Sequence, residues 1–131
     1  WMDRNGHMHE PHYLELMAQA STRFLEEVGV NDAYRHAGFT YFSVESRLKY
    51  LREILAGENI KILTGVLGTI EKKLLLLHQL QTEDGTIAAT CEATLIHVDL
   101  NTRASCLPNA AVVTRLAAYA ASHEPLKQTL D

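Results

Sequence analysis

The sequence has few of the features that mark membrane spans or disulfide-bonded domains. Its longest strongly apolar run, Leu74 to Leu77, has charged or polar residues on both sides, whereas a bilayer span needs roughly 20 apolar residues in succession. The two cysteines, Cys91 and Cys106, form no CxxC motif, which favours reduced thiols. No signal peptide is visible. These absences predict a cytoplasmic protein without a membrane partner.

Basic residues are too few for a protein that clamps phosphates. Lys and Arg number 12 against 16 Asp and Glu, a formal net charge of −4, so we expect no nucleic-acid partner. With 47% hydrophobic and 21% charged residues, the chain has the composition of one globular domain, which we place at residues 1–131. Because the chain begins with Trp1 rather than Met, we expect that a preceding element is missing.

An amphipathic helix is the first element that the pattern predicts. Pro11 suits its first turn and Gly29 suits the position just after its end. The apolar side chains between them recur at three- and four-residue spacing: Tyr13, Met17, Ala20, Phe24 and Val28. Such a helix of 18 residues is about 27 Å long, enough to cross a sheet. A second, short helix is predicted between Asn31 and Gly38.

From Phe39 onward the apolar pattern changes to a period of two, which indicates strands. Four strands are predicted, over Phe39 to Tyr50, Ile60 to Ile70, Lys72 to Thr82 and Thr86 to Asp99. Gly65 and Gly68 indicate a bulge in the second strand. Asp84-Gly85 is typical of a two-residue hairpin turn.

The remaining expectations concern the first strand and the last helix. In the first strand we expect Phe42 and Val44 to share the core face, with Tyr41 and Glu45 on the opposite face. A last helix opens at Pro108-Asn109 and closes before Pro125.

The order of elements predicts the architecture. Four consecutive strands joined by short turns form an antiparallel meander, and its hydrophobic face needs cover. The helix that ends at Gly29 is the only element long enough to provide that cover. We therefore predict an α+β fold in which a curved antiparallel sheet wraps around a long central helix.

The densest polar cluster, Asp3 to Tyr13, precedes and enters this helix, and three interpretations compete. His7, His9 and His12 suggest a metal site, but metal-dependent hydrolases of that kind need further ligands from distant elements, so we expect no metal. A solvated polar loop that caps the helix is the second interpretation. The third is catalytic: Gly6 permits a turn that brings the Asp3 carboxylate to the unpaired N–H groups of the first helical turn.

The catalytic interpretation supplies both parts of an acyl-transfer site. The N–H groups can hold a thioester carbonyl and its developing oxyanion. Asp3 can attack that carbonyl or activate a water molecule. No serine or cysteine nucleophile is needed.

The motif Asp3-x-x-Gly6-His7-Met8, with Tyr13 in the first turn of a long helix, resembles the active-site segment of hotdog-fold acyl-CoA thioesterases of the 4-hydroxybenzoyl-CoA thioesterase type. The resemblance covers nearly the whole chain and includes Leu48-Lys49-Tyr50, Ala56-Gly57-Glu58 and the segment from Leu95 to Asp99 followed by Pro108. The segments Asp3 to His7 and Tyr41 to Glu45 are similar to a carnitine-catabolism subgroup that includes betainyl-CoA thioesterases. The family has a strand before the aspartate, and this chain lacks it.

The resemblance implies a role for each residue of the motif. Asp3 would be the catalytic carboxylate, the backbone N–H at Glu10 would polarise the thioester carbonyl, and His7 would line the pocket and orient substrate or water. The substrate-binding residues that we assign with them are Gly6, Met8, Tyr13, Tyr41 and Glu45. The implied partners are an acyl-CoA substrate and further copies of the chain, in a homodimer or homotetramer with active sites between subunits. No cofactor is implied.

A cationic acyl group would have two kinds of candidate partner. Glu45 either faces the pocket and meets the cation or forms a cross-strand ion pair with a Lys or Arg. The candidates for an aromatic cage are Trp1, Tyr34, Tyr41 and Phe42. Two other functions stay open: a hotdog hydratase or dehydratase that uses His7, and a non-catalytic acyl-CoA-binding domain.

Overall fold

Three helices and five strands make up the part of the chain that the structure describes, residues 10–55 and 57–130 of a computed structural model. In chain order they are α1 (Glu10–Glu27), α2 (Asp32–His36), β1 (Phe39–Tyr50), β2 (Ile60–Ile70), β3 (Lys73–Thr82), β4 (Ile87–Asp99), α3 (Ala110–Ser122) and β5 (Leu126–Leu130). The predicted long helix, short helix, four strands and last helix are all present. β5 was not predicted.

The ends of the first two helices follow the predicted capping chemistry. Gly29 has φ +102°, and the N–H of Val30 after it donates to the carbonyl of Leu25 at 2.8 Å, which closes the end of α1. The side chain of Asn31 accepts the N–H of Tyr34 at 3.1 Å and so caps α2. These local signals suffice because each acts within a few residues of the chain.

The strand order is β1-β4-β3-β2-β5 with every neighbouring pair antiparallel, so the antiparallel sheet is confirmed and the simple meander is wrong. β1 pairs with β4 instead of β2. The connection from Leu51 to Asn59 crosses the molecule between them, and Ile54 in it is 1% exposed within the same core cluster as Tyr13. Burial of the Ile54 side chain against the first half of α1 favours the crossover over a hairpin.

The unpredicted strand β5 extends the sheet at the edge opposite β1. Residues 126–130 pair with residues 60–64 of β2 in antiparallel register. The segment has only five residues, too few for a reliable period-two pattern. It becomes a strand because its backbone hydrogen-bonds the N–H and C=O groups along the open edge of β2.

A bulge reverses the faces that we expected for β1. The register with β4 shifts between Ser43 and Glu45, which leaves Val44 as the extra residue. As a result Tyr41 is 7% exposed in the core, whereas Phe42 is 45% exposed. The expectation that Phe42 and Val44 face the core is therefore wrong. The bulge in β2 is confirmed by a shift between Val66 and Gly68.

Two apolar clusters fill the space between helices and sheet. The first surrounds the first half of α1 and contains Tyr13, Leu16, Met17, Ala20, Ile54, Ile62, Leu80, Ala88, Ala89 and Cys91. The second surrounds its second half and contains Phe24, Leu25, Val28, Val30, Tyr41, Leu74, Leu76, Ala93, Leu95, Val112 and Leu116. Because Val112 and Leu116 belong to α3, that helix also covers the apolar face of the sheet, a role that we expected of α1 alone.

A buried polar network fastens α1 to the sheet. Gln128 donates from Nε2 to the carbonyl of Ala20 at 3.0 Å and to Thr64 Oγ1 at 3.1 Å. Thr64 Oγ1 lies 2.7 Å from His78 Nδ1, and His78 Nε2 lies 2.7 Å from Ser21 Oγ. In a neutral His78 one ring nitrogen donates and the other accepts, so both nitrogens are satisfied by these hydroxyls. Burial lowers the pKa of His78 to about 4.

The neutral His78 predicts acid sensitivity. Between about pH 6.5 and about pH 4 the unfolded chain binds a proton at His78 that the folded chain does not, so the free energy of unfolding falls as the pH falls through this window. Over the whole window the loss is roughly 3 kcal/mol, and it vanishes above the ordinary histidine pKa. Urea unfolding at a series of pH values measures it.

Two variants isolate the contribution of this histidine. His78→Leu is expected to be less stable at neutral pH and to have a shallower slope between pH 6.5 and 4. His123→Asn is the matched control, since His123 is an exposed residue after α3 with φ 57°, a conformation that Asn tolerates. Equal slopes in the wild type and His78→Leu would contradict the prediction.

Candidate active site at the start of the central helix

The N-terminal end of α1 is fixed against the end of β1 and the connection that follows it. Tyr13, in the first turn, is 5% exposed. Its ring meets the ring of Tyr50 edge-on, with centroids 5.1 Å apart and planes at 85°. A backbone hydrogen bond from Ile54 reaches its hydroxyl, while burial raises its pKa. The start of the helix therefore has a rigid aromatic and apolar wall.

The first turn of α1 offers hydrogen-bond donors for an anion. Its opening N–H groups, beginning at Glu10, have no acceptor within the helix. The aligned peptide dipoles of the 18 residues add partial positive charge at this end. Such an end can hold a carboxylate, a phosphate or the oxyanion of an acyl-transfer reaction.

Arg52 ties the connection after β1 to the turn between β3 and β4. Its guanidinium donates to Glu58 at 2.8 Å and to Thr82 Oγ1 at 3.4 Å, and it lies 3.7 Å from a carboxylate oxygen of Asp84. Hydrogen bonds from the Thr82 hydroxyl and from the N–H of Thr86 lower the pKa of Asp84 to about 2. This clamp, which our sequence analysis missed, holds the connection whose Ile54 hydrogen-bonds Tyr13 in α1.

Most of the predicted catalytic motif lies outside the described residues. This applies to Asp3, Gly6, His7 and Met8, and to the side chain of Glu10, whose backbone begins α1. Tyr13 lies beside that helix start as expected. The structure therefore describes one wall of the predicted site.

The suggested histidine metal site is affected in the same way. His7 and His9 lie outside the described residues, and His12 has its Nδ1 3.7 Å from Glu15. Within residues 10–55 and 57–130, no three His, Cys, Asp or Glu side chains are arranged to hold a metal ion.

The other two predicted substrate-binding residues are not brought to the helix start of their own chain. Tyr41 lies in the core cluster around the second half of α1, with its ring centroid 5.0 Å from that of His97, and burial raises its pKa. Glu45 is exposed on β1, 3.5 Å from Arg47. Its basic neighbour is thus on the same strand, whereas the ion-pair interpretation placed it across strands.

A second concave site lies at the opposite end of β1. It has a volume of about 230 Å³ and is lined by Tyr34, Ala37, Phe39, His97, Leu107 and Asn109. Our sequence analysis assigned His97 no role in a site and did not connect it with Tyr34. Their sequence separation of 63 residues gives no local signal of the cluster.

The family of the chain follows from comparison with known proteins. Residues 1–118 match the family model of the thioesterase-like superfamily. The chain belongs to this superfamily. The expected α+β hotdog architecture, a curved antiparallel sheet around a long helix, is thereby confirmed, and the sheet has five strands instead of the four expected.

Relatives within this superfamily include bifunctional and single-function proteins. An L-carnitine dehydrogenase/betainyl-CoA thioesterase of Ruegeria pomeroyi is 39% identical over 120 residues, which cover 92% of this chain and 24% of that protein. A betainyl-CoA thioesterase of Pseudomonas aeruginosa is 30% identical over 128 residues, covering 96% of this chain and 80% of that protein. The chain thus spans about a quarter of the bifunctional relative.

Solved structures show the same fold. A protein from Staphylococcus aureus in complex with CoA has a TM-score of 0.89 and 28% identity, with 95% of this chain and 79% of that chain covered. A thioesterase from Thermus thermophilus has a TM-score of 0.76 and 21% identity, covering 92% of this chain and 86% of its own. None of the helices that the structure describes combines the length and apolar character of a membrane span.

The Arg52 clamp generates a stability prediction. Arg52→Ala leaves the Glu58 carboxylate, which has one oxygen buried, without its 2.8 Å cationic partner, so the free energy of unfolding is expected to fall by about 1–2 kcal/mol. Arg47→Ala is the matched control, since both partners of its ion pair with Glu45 are more than half exposed and the loss is at most about 0.5 kcal/mol. Urea unfolding of both variants tests this, and equal losses would contradict it.

Proposed function

We propose that the chain hydrolyses a small acyl-CoA thioester, with betainyl-CoA as the first candidate. The observation that carries this proposal is the N-terminal end of α1, which begins seven residues after Asp3 and is walled by Tyr13 and Tyr50. The names of the relatives support the thioester substrate and the betainyl group. The CoA in the Staphylococcus aureus structure supports the thiol half of the substrate.

The proposed reaction uses the helix start as an oxyanion hole. The N–H groups of the first turn, that of Glu10 among them, hold the thioester oxygen. When an oxygen nucleophile attacks the carbonyl carbon, this oxygen takes up negative charge, and the pre-aligned N–H groups stabilise it at no reorganisation cost. Collapse of the tetrahedral intermediate breaks the C–S bond, and CoA leaves as a thiolate that takes up a proton from solvent or the proton that Asp3 removed from water.

Asp3 supplies the nucleophile in one of two ways. As a general base it removes a proton from water, whose oxygen attacks directly. As a nucleophile it forms an acyl anhydride that water then opens. A single turnover in ¹⁸O-water tests the second route, because label in the Asp3 carboxylate requires an anhydride that water opens at the aspartyl carbonyl. In both routes Gly6 allows the turn, His7 orients substrate or water, and Met8 and Tyr13 line the site.

We also propose that β1 pairs with β1 of a second copy to form a homodimer. β1 is a 12-residue edge strand, and Phe42 and Val44 on it are 45% and 55% exposed. An open edge of this length exposes unpaired backbone groups that a second copy can satisfy. The half-buried Leu75 and the exposed Leu67 on the outer face of the sheet offer a second surface for a homotetramer.

Two-fold symmetry fixes which ends of the two strands meet. An antiparallel pair of β1 strands that overlap fully places Phe39 of one copy beside Tyr50 of the other. Because Tyr50 contacts Tyr13, the helix start of one subunit then lies near the beginning of β1 in its partner. Both cysteines are free thiols, and we propose a cytoplasmic location because a reducing compartment preserves them.

Replacement of the proposed catalytic carboxylate is the direct test of function. Asp3→Asn is expected to lower kcat for betainyl-CoA by at least about 100-fold, because the amide neither accepts a proton from water nor attacks the carbonyl. Free CoA thiol released from betainyl-CoA and acetyl-CoA gives the rate. Asp32→Asn, an exposed carboxylate paired with Arg35 in α2, serves as control and is expected to retain full activity. Undiminished hydrolysis by Asp3→Asn would refute the assigned site.

The dimer is tested by a charge at the strand edge. The wild type is expected to have about twice the 14.7 kDa mass of one chain as a dimer, or about four times that mass as a tetramer. Val44→Lys is expected to shift it toward the monomer, since a buried ammonium at the new interface lacks a partner. Val113→Lys replaces a residue of similar exposure on α3 and should leave the mass unchanged. Light scattering after size exclusion measures all three, and a monomeric wild type would contradict the proposal.

A further inference from the structure

The cavity at the beginning of β1 is an uncharged aromatic cage. Three rings form its inner wall, with centroids 6.1 Å apart for Tyr34 and Phe39, 5.7 Å for Tyr34 and His97, and 5.8 Å for Phe39 and His97. Leu107, which is 65% exposed, borders it from the loop before α3. Among residues 10–55 and 57–130, no aspartate, glutamate, lysine or arginine lines it.

Hydrogen bonds hold the rings of Tyr34 and His97 in place, and burial lowers the pKa of His97, which keeps the imidazole neutral. His97 donates from Nδ1 to the carbonyl of Cys106 at 2.9 Å. Its Nε2 therefore accepts the hydroxyl of Tyr34 at 2.6 Å. An imidazole with one donor and one acceptor position, both satisfied, carries no charge. The wall of the cavity thus offers aromatic surface without a positive charge that would repel a cation.

The volume and position of the cavity suit one end of a substrate. At about 230 Å³ it is smaller than the roughly 300–1,000 Å³ of sites that enclose a whole drug-sized ligand. In the dimer proposed above, Phe39 at its rim lies beside Tyr50 of the partner subunit, close to the helix start of that subunit. A thioester held at one helix start can therefore extend its acyl group into the cavity of the other subunit.

We propose that this cavity binds the quaternary ammonium end of the acyl group while the helix start of the partner subunit holds the thioester carbonyl. The inference rests on the proposed thioesterase function and dimer. A permanent cation without a hydrogen-bond donor is attracted to the faces of aromatic rings, and it gains nothing from neutral hydrogen-bonding groups. This replaces Glu45 as the expected partner of the cation, because Glu45 already pairs with Arg47 and does not line this cavity.

Two isosteric substrates isolate the effect of charge. Betainyl-CoA and 3,3-dimethylbutyryl-CoA have the same shape, since a carbon atom replaces the ammonium nitrogen. The wild type is expected to have a kcat/KM about 3- to 30-fold higher for the cationic substrate. Phe39→Leu is expected to remove this preference by lowering kcat/KM for betainyl-CoA alone, and Phe39→Tyr is expected to restore it.

Matched variants keep this test falsifiable. Val113→Ala changes an exposed apolar residue on α3, outside the cavity and the proposed β1 interface, and should keep the preference. Leu107→Lys adds a positive charge at the cavity mouth. Because the Leu107 side chain is 65% exposed, this substitution is expected to leave the fold intact. It should lower kcat/KM for betainyl-CoA but not for its neutral isostere. Leu107→Gln controls for the lost apolar contact. If the preference survives both Phe39→Leu and Leu107→Lys, or is lost in Glu45→Gln instead, the inference is wrong.

Subunit mixing tests whether the cavity acts across the dimer. Asp3→Asn and Phe39→Leu are unfolded, mixed and refolded together. If the cavity serves the helix start of the partner, each mixed dimer has one fully intact site, and betainyl-CoA hydrolysis exceeds the mean of the two separate variants. If it serves its own chain, every site has one defect and no excess appears, which overturns the inference. A wild type without any thioesterase activity would instead overturn the proposed function on which the inference depends.

Discussion

Burial of the apolar face of α1 against the inner face of the sheet is the interaction on which the rest of the structure depends. Met17, Ala20 and Phe24 are at most 1% exposed, and the two core clusters that they join extend along the whole length of the helix. The polar network of His78 fixes the position of α1 on the sheet, because its hydrogen bonds form only when the helix lies in one place. The placement of the helix start, and with it the candidate active site, follows from this packing.

The same packing explains why the two candidate functional surfaces lie at the ends of β1. One end of the strand meets the first turn of α1 through Tyr50 and Tyr13. The other end carries the cage of Tyr34, Phe39 and His97. A single chain separates these two surfaces by the length of a 12-residue strand. A symmetric antiparallel dimer would bring the helix start of each copy beside the aromatic cage of the other. Pairing along the open edge of β1 would then serve the site as well as the assembly.

Several expectations failed where a longer-range contact overrode a local pattern. The alternation in β1 was extended through Phe42 and Val44, but one bulge residue changes the phase so that Tyr41 is buried instead. The antiparallel meander was wrong because the connection containing Ile54 packs at the end of α1. The short strand β5 depends on pairing with β2, and no pattern within its five residues reveals that partner.

The sequence by itself determined the elements whose causes are local: the central helix with its apolar stripe and Gly29 terminus, the short helix capped by Asn31, four strands and the last helix. It also contained the motif around Asp3, because a carboxylate before a helix is a feature of adjacent residues. Only the tertiary structure decided the strand order, the bulge in β1 and the Arg52 clamp. The aromatic cage belongs to the same group, since Tyr34 and His97 are 63 residues apart and come together only when the sheet has formed.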